Sequence, residues 1–215
     1  MMEVMKARHS VRQYKDVAID DEKRKVLDEM AKFANEEAGL NIQIIYDEPK
    51  CFDSFMAHYG KFSGVNSYIA LIGKKSADLD EKLGYYGEKL ALKAQELGLN
   101  TCWVAMSHGK SAAKINKGEK LGCIISLGYG ENEGVTHKNK ALAEVSNCDE
   151  SSPEWFRKGV EAALLAPTAM NQQKFRFDLQ PDGSVKTTCG KGFYAKMDLG
   201  IVKYHFEAVT GKKPQ

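Results

Sequence analysis

Apolar positions recur at helical spacing between Asp20 and Asn35, where Val26, Leu27, Met30, Ala31, Phe33 and Ala34 fall on neighbouring turns. Asp20 suits the cap of that predicted helix and Gly39 its end. Ile42, Ile44 and Ile45 then predict a strand, and Asn66 to Ile72 (NSYIALI) predicts a mostly buried one. Leu83, Tyr86, Leu90, Ala94 and Leu97 form the stripe of the next helix, which Gly98 closes. Two runs rich in β-branched and aromatic residues, Thr101 to Met106 and Cys123 to Leu127, predict further strands.

The second half repeats the alternation. Ser152-Pro153-Glu154 predicts a helix start, with Pro153 at the first helical position, and Trp155, Phe156, Gly159, Val160, Ala163 and Leu164 supply its apolar face. Two strands, 175–179 and 185–188, flank Pro181-Asp182-Gly183 and predict a hairpin. Asp198 to Val209 predicts a last helix, stopped by Gly211. Gly130 to Asn147 is polar and poorly periodic, so it is expected to run over the surface. No Pro- or Ser-rich linker separates the halves, and residues 1–215 are expected to form one α/β or α+β domain.

Composition narrows the classes without naming one. The 215 residues include 43% apolar side chains and 31 basic against 29 acidic ones, which excludes disorder and collagen-like repeats. A net charge of +2 offers no broad basic field, so neither a nucleic acid nor an anionic membrane is expected as a partner. No apolar run approaches the roughly 20 residues of a membrane span. The five cysteines (51, 102, 123, 148 and 189) are odd in number and lack a C-x-x-C pair, and the five histidines are scattered. Disulfides and a metal centre are therefore not expected. With a charged N-terminal stretch that lacks an apolar core, the expected location is the cytoplasm.

Several nucleotide motifs fail on spacing. Gly73-Lys74-Lys75-Ser76 and Gly109-Lys110-Ser111 would need glycines where Tyr68 and Val104 stand, so neither is a P-loop. After Gly128-Tyr129-Gly130 the third glycine of a dinucleotide turn would fall at Glu133. No serine-hydrolase signature or local Cys–His motif is present. Two segments survive. Arg8-His9-Ser10-Val11-Arg12 places two guanidinium groups, an imidazole and a hydroxyl within five residues, donors that suit a phosphate; a solvated basic start is the alternative. If extended, the segment points Arg8, Ser10 and Arg12 one way and His9 and Val11 the other. Ala166 to Phe175 (APTAMNQQKF) joins a helix to a strand, and its hydroxyl and amide groups could read the edge of a planar heterocycle or simply build a cap and loop.

These residues resemble the FMN-dependent nitroreductase superfamily, which includes flavin reductases, dehalogenases and a flavin-fragmenting branch. Arg8, His9, Ser10 and Arg12 match its opening Arg-x-Ser-x-Arg/Lys motif. Pro167, Thr168, Asn171 and Gln173 match Pro-Ser-x-x-Asn-x-Gln, with Lys174-Phe175 in place of Pro-Trp. Gly98-Leu99-Asn100-Thr101-Cys102-Trp103 matches a third block, and Leu127-Gly128-Tyr129 with Lys138 and Lys140 a fourth. In most members the Pro-Ser-x-x-Asn block follows the first helix, whereas here it lies after residue 165.

The resemblance implies an α+β, three-layer fold with a central, largely antiparallel mixed sheet flanked by helices, in two similar helix–strand halves. It implies FMN held by Arg8, His9, Ser10, Arg12, Cys102, Trp103, Val104, Ala105, Lys138, Lys140, Pro167, Thr168, Ala169, Asn171 and Gln173. Arg8, Ser10, Lys138 and Lys140 would meet the phosphate and ribityl chain, Trp103, Val104 and Ala105 would back the ring, and Arg12 would tune it. NADH or NADPH is the expected co-substrate, and a small organic acceptor such as a nitroaromatic or quinone the expected partner. No side chain is expected to act as an obligatory acid or base. A homodimer is implied, with a monomer open because of the displaced block. The alternatives are a non-catalytic flavin-binding or sensing protein, or a dehalogenase-like or flavin-fragmenting enzyme on the same fold.

Overall fold

The computed structural model describes all 215 residues. The chain falls into two compact units: a hairpin unit (Met1–Lys6, Asp80–Glu88, Thr136–Gln215) and a sheet unit (Ala7–Leu79, Lys89–Val135).

In the sheet unit, β1 (Gln43–Ile45), β2 (Ser67–Lys74), β3 (Asn100–Val104) and β4 (Glu119–Gly128) form one antiparallel sheet in the order β1-β2-β4-β3. β2 is central and buried from Ser67 to Gly73, which explains why its sequence reads as a continuous apolar run rather than an alternation. β4 begins at Glu119, four residues before the predicted start, because its first positions (Glu119, Lys120) are polar but still pair with Lys74 and Gly73. On one face Tyr68, Ala70, Ile72, Cys102, Val104 and Ile124 pack with Val11, Tyr14, Phe52 and Phe62 into a single cluster. On the other face Ile69, Leu71, Ile125 and Leu127 are also buried.

Helix α2 (Asp21–Ala38) ends as predicted at Gly39, whose φ of 65° lets its N–H reach the Asn35 carbonyl. Asp20 stands at the cap position, but its carboxylate makes no cap bond; Tyr129 donates to it at 2.7 Å. Asn35 then fixes the next strand by exchanging side-chain hydrogen bonds with the Ile42 N–H and C=O. The short α3 (Phe55–Tyr59) is capped by the Ser54 hydroxyl, which accepts from Ala57 N–H at 3.2 Å.

Helix α1 (Met2–Ala7) opens the chain, and α4 (Leu79–Glu96) lends Asp80–Glu88 to the hairpin unit. That unit also holds α5 (Leu142–Val145), α6 (Glu154–Leu164), the antiparallel pair β5 (Phe175–Leu179) and β6 (Val185–Cys189), and α7 (Ala195–Thr210). The α5 turn was not anticipated within the polar stretch 130–147; its four residues are too few to show a helical period. Pro153 sits at the N-cap of α6 with extended φ/ψ of −57° and 141°, one position earlier than predicted. α4 and α7 cross at glycines: a methyl group on Gly84 would overlap the Met197 carbonyl, and one on Gly200 the Glu81 carbonyl. Around that crossing Tyr85 donates to Glu207 at 3.0 Å, and Lys203 pairs with Glu81 at 2.7 Å. Glu88 and His205, both fully buried, meet at 2.9 Å, while the other ring nitrogen of His205 lies 2.9 Å from the Ala162 carbonyl.

Candidate functional site

The predicted site residues fall into two groups, one in each unit. In the sheet unit, the 8–14 segment meets edge strand β3 at its middle and leaves it at its end: Ser10 bridges Thr101 in parallel and Val11 N–H donates to the Thr101 carbonyl at 3.1 Å, whereas Gln13 bridges Ser63 and Tyr14 bridges Gly130. Val11 turns into the core, as the alternation predicts. Arg8 is only 2% exposed, which removes the reading of this segment as a solvated basic start, whereas Arg12 stays exposed with its guanidinium 5.9 Å from the Phe62 ring centre.

Both cations bear on Cys102. Burial pushes its thiol up, and Arg12, a hydrogen bond from Ser10 and Arg8 oppose that shift, so all three polar residues act on one buried atom. Tyr14 is likewise pushed well up by burial, and Ser126, Arg12 and Arg8 are among the groups opposing it. Cys102 and Tyr14 are thus neutral at pH 7, and the permanent charge here is positive. Cys102 and Val104 spend their side chains in the core cluster, whereas Trp103 and Ala105 are half-buried. The Thr101 hydroxyl is buried without a hydrogen-bond partner.

His9 is held by the loop that follows β4. Its Nδ1 lies 3.1 Å from the Glu133 carbonyl, and Gly134, at φ 70°, passes so close that a Cβ there would stand 2.7 Å from His9 Cβ and 3.0 Å from the Ser10 carbonyl. Only glycine combines that φ with that approach. Gly134 is therefore part of the site, although a single glycine in a polar stretch gives no signal in the sequence.

In the hairpin unit, Lys138, Lys140, Thr168, Ala169, Asn171 and Gln173 are brought together, and they bond chiefly to one another. Buried Gln173 donates from Nε2 to the Lys138 carbonyl at 2.7 Å and accepts at Oε1 from Lys140 N–H at 2.9 Å. Lys140 Nζ donates to the Gln173 carbonyl at 2.9 Å, Asn171 Nδ2 donates to the Lys138 carbonyl at 2.8 Å, and Thr168 Oγ1 accepts from Gln173 N–H at 3.1 Å. Met170, Asn171 and Gln173 have φ of 52°, 52° and 44°, left-handed values that cost non-glycine residues energy, and these bonds hold Asn171 and Gln173 in place. Pro167, buried, ends the helical stretch before it.

Asp198, in the first turn of α7, is the member of this group that the sequence did not reveal, since it reads there as an ordinary helix-start acid. It is 5% exposed, and its oxygens accept from Ala169 N–H at 2.9 Å and from Gln172 Nε2 at 2.7 Å. Burial raises its pKa to about 6, and those two hydrogen bonds only partly offset the shift.

A family model described as "Putative TM nitroreductase" matches residues 1–210. Among solved structures, a protein from Thermotoga maritima described as a "putative nitroreductase" superposes with a TM-score of 0.72 at 23% identity, covering 99% of this chain and 86% of that one. A "putative nitroreductase in complex with fmn" from Desulfovibrio desulfuricans superposes with a TM-score of 0.53 at 18% identity, covering 71% of this chain and 97% of that one. A nitroreductase family protein from Streptococcus pneumoniae gives 0.54 at 13% identity, covering 67% and 97%. No curated protein matches the chain in sequence. At these identities the likeness establishes the fold, an α+β arrangement around an antiparallel sheet.

Proposed function

Since the chain belongs to the "Putative TM nitroreductase" family, matched over residues 1–210, we propose that it is an FMN-dependent oxidoreductase, taking hydride from NADH or NADPH and reducing a small organic acceptor such as a nitroaromatic or quinone. The donor set of the sheet unit fits FMN. Between Ala7 and Lys15 there is no acidic side chain, while Arg8, His9, Ser10 and Arg12 supply two guanidinium groups, an imidazole and a hydroxyl. The observation that carries the reading is the burial of Arg8, a permanent cation two residues from Ser10, which suits a phosphate dianion.

FMN, when bound, supplies the hydride-transfer chemistry. The chain's own part is to bind and to tune. Arg8 and Ser10 would hold the phosphate end and Trp103 and Ala105 would border the ring, while His9 is held by the Glu133 carbonyl. Arg12, the exposed cation of the pair, would favour negative charge on the pyrimidine side of a bound flavin. No side chain of the group is assigned as an obligatory acid or base, and burial keeps Cys102 and Tyr14 in their neutral forms.

The test is a titration of the purified protein with FMN, followed by anaerobic addition of NADH or NADPH. The expected result is a yellow 1:1 complex whose flavin band bleaches on adding the nicotinamide, with Arg8→Ala weakening FMN by about 30-fold or more, in line with the roughly 2–3 kcal/mol of a charge-assisted bond. A wild-type protein that stays colourless with excess FMN overturns the reading, and one that binds FMN but never bleaches reduces it to a flavin-binding module.

A further inference from the structure

Tyr14 lies two residues beyond the cationic motif and belongs to none of the matched blocks, yet its side chain is buried and held at both sides of its hydroxyl. It is 3% exposed, and its hydroxyl donates to the Val11 carbonyl at 2.8 Å while Ser126 Oγ stands 2.8 Å away on the other side. Ser126, fully buried in β4, also lies 3.3 Å from the Cys102 carbonyl in β3. One phenol oxygen thus links the 8–14 segment to two strands of the sheet.

The consequence falls on Val11, the central residue between Ser10 and Arg12. Its N–H is held by the Thr101 carbonyl, its side chain by the core, and its carbonyl by Tyr14. With all three fixed, the peptide on either side of Val11 has little freedom left. Backbone bonds at Tyr14 N–H to the Ser63 carbonyl (3.0 Å) and at Lys15 N–H to the Tyr129 carbonyl (2.8 Å) hold the far end of the segment in the same way.

We propose that Tyr14, acting through Ser126 and the Val11 carbonyl, is the positioning residue that holds Arg8 and Ser10 in the geometry that receives the phosphate of FMN. The inference rests on the FMN reading above. It adds that the phosphate end of the cofactor is recognised by a pre-set segment, whose direction is dictated from the buried side of the sheet. Removing the phenol oxygen leaves the Arg8 and Ser10 side chains in place but frees the Val11 peptide, so the loss falls on the ligand that carries the phosphate.

The experiment compares FMN with riboflavin, which lacks the phosphate, in the wild type, Tyr14→Phe and Ser126→Ala, using quenching of flavin fluorescence. The melting temperature of each protein without flavin reports the fold. The expected result is FMN binding weakened about five- to ten-fold in Tyr14→Phe, the effect of roughly one net hydrogen bond, with riboflavin changed less than about two-fold. Ser126→Ala should shift the same ratio in the same direction. Equal losses for both ligands, or no loss for FMN, overturn the inference while leaving the FMN reading intact. If Tyr14→Phe does not fold, the ratio in Ser126→Ala decides by the same criterion. Wild-type protein that binds neither ligand removes the FMN reading and this inference with it.

Discussion

Replacing Asp198 by Asn isolates a single titration. The side chain is 5% exposed, and its carboxyl has a pKa of about 6, against an ordinary value of 3.8. Folding therefore takes up a proton wherever the pH lies between those two values. The sign follows from linkage: stability from this group is fully present below about 3.8, declines as pH rises, and is gone above about 6. A difference of about two pKa units corresponds to about 3 kcal/mol at most, at 1.36 kcal/mol per unit. Asn keeps the volume and an oxygen for the Ala169 N–H but cannot ionise, and every other titrating group is common to both proteins. The assay is urea denaturation of each protein from about pH 7.5 to about pH 4.5, plotting the wild-type stability minus that of Asp198→Asn. The plot should be flat above about pH 6.5 and rise in favour of the wild type by about 2 kcal/mol by about pH 4.5. A flat plot across the whole range, or a fall on acidification, refutes the reasoning that desolvation outweighs the two hydrogen bonds.

Two further outcomes follow from close backbone approaches. Gly134→Ala places a methyl group 2.7 Å from His9 Cβ at a φ of 70°, so the 8–12 segment must shift; FMN affinity should fall by about ten-fold or more, measured by fluorescence titration, with the flavin-free melting temperature lowered only modestly. Gly200→Ala drives a methyl group into the Glu81 carbonyl at the α4–α7 crossing, and thermal or urea unfolding should show a loss of about 3 kcal/mol or more.

Much of the fold was legible because its elements announce themselves locally. The apolar run at Asn66 to Ile72 became the central strand, the helix ending at Gly39 ended there, and Pro181-Asp182-Gly183 closed a two-stranded hairpin. What was hidden depends on distant partners. β4 is longer than its apolar stretch because pairing with β2, not side-chain character, carries Glu119 and Lys120 into the ladder. The cationic motif was visible, but the burial of Arg8 has no local signature, and the places of Tyr14 and Gly134 rest on contacts with residues more than a hundred positions away. In the other group, the amides that seemed free to face a heterocycle proved to be bonded within the 138–140 and 168–173 segments. Asp198 illustrates the same limit, since its departure from an ordinary helix-start acid comes entirely from desolvation.

The aromatic packing carries one consequence of a different kind. The chain has two tryptophans. Trp103 sits in β3 of the sheet unit, and Trp155 lies in the first turn of α6 of the hairpin unit, edge-on to Phe156 at 5.9 Å and to Phe206 at 6.3 Å, with the Lys212 ammonium 4.6 Å from its ring centre. Each unit thus has its own intrinsic fluorophore. In Trp103→Phe the indole emission follows the hairpin unit alone, and in Trp155→Phe the sheet unit alone, so two single-tryptophan proteins read the unfolding of each unit by its own light.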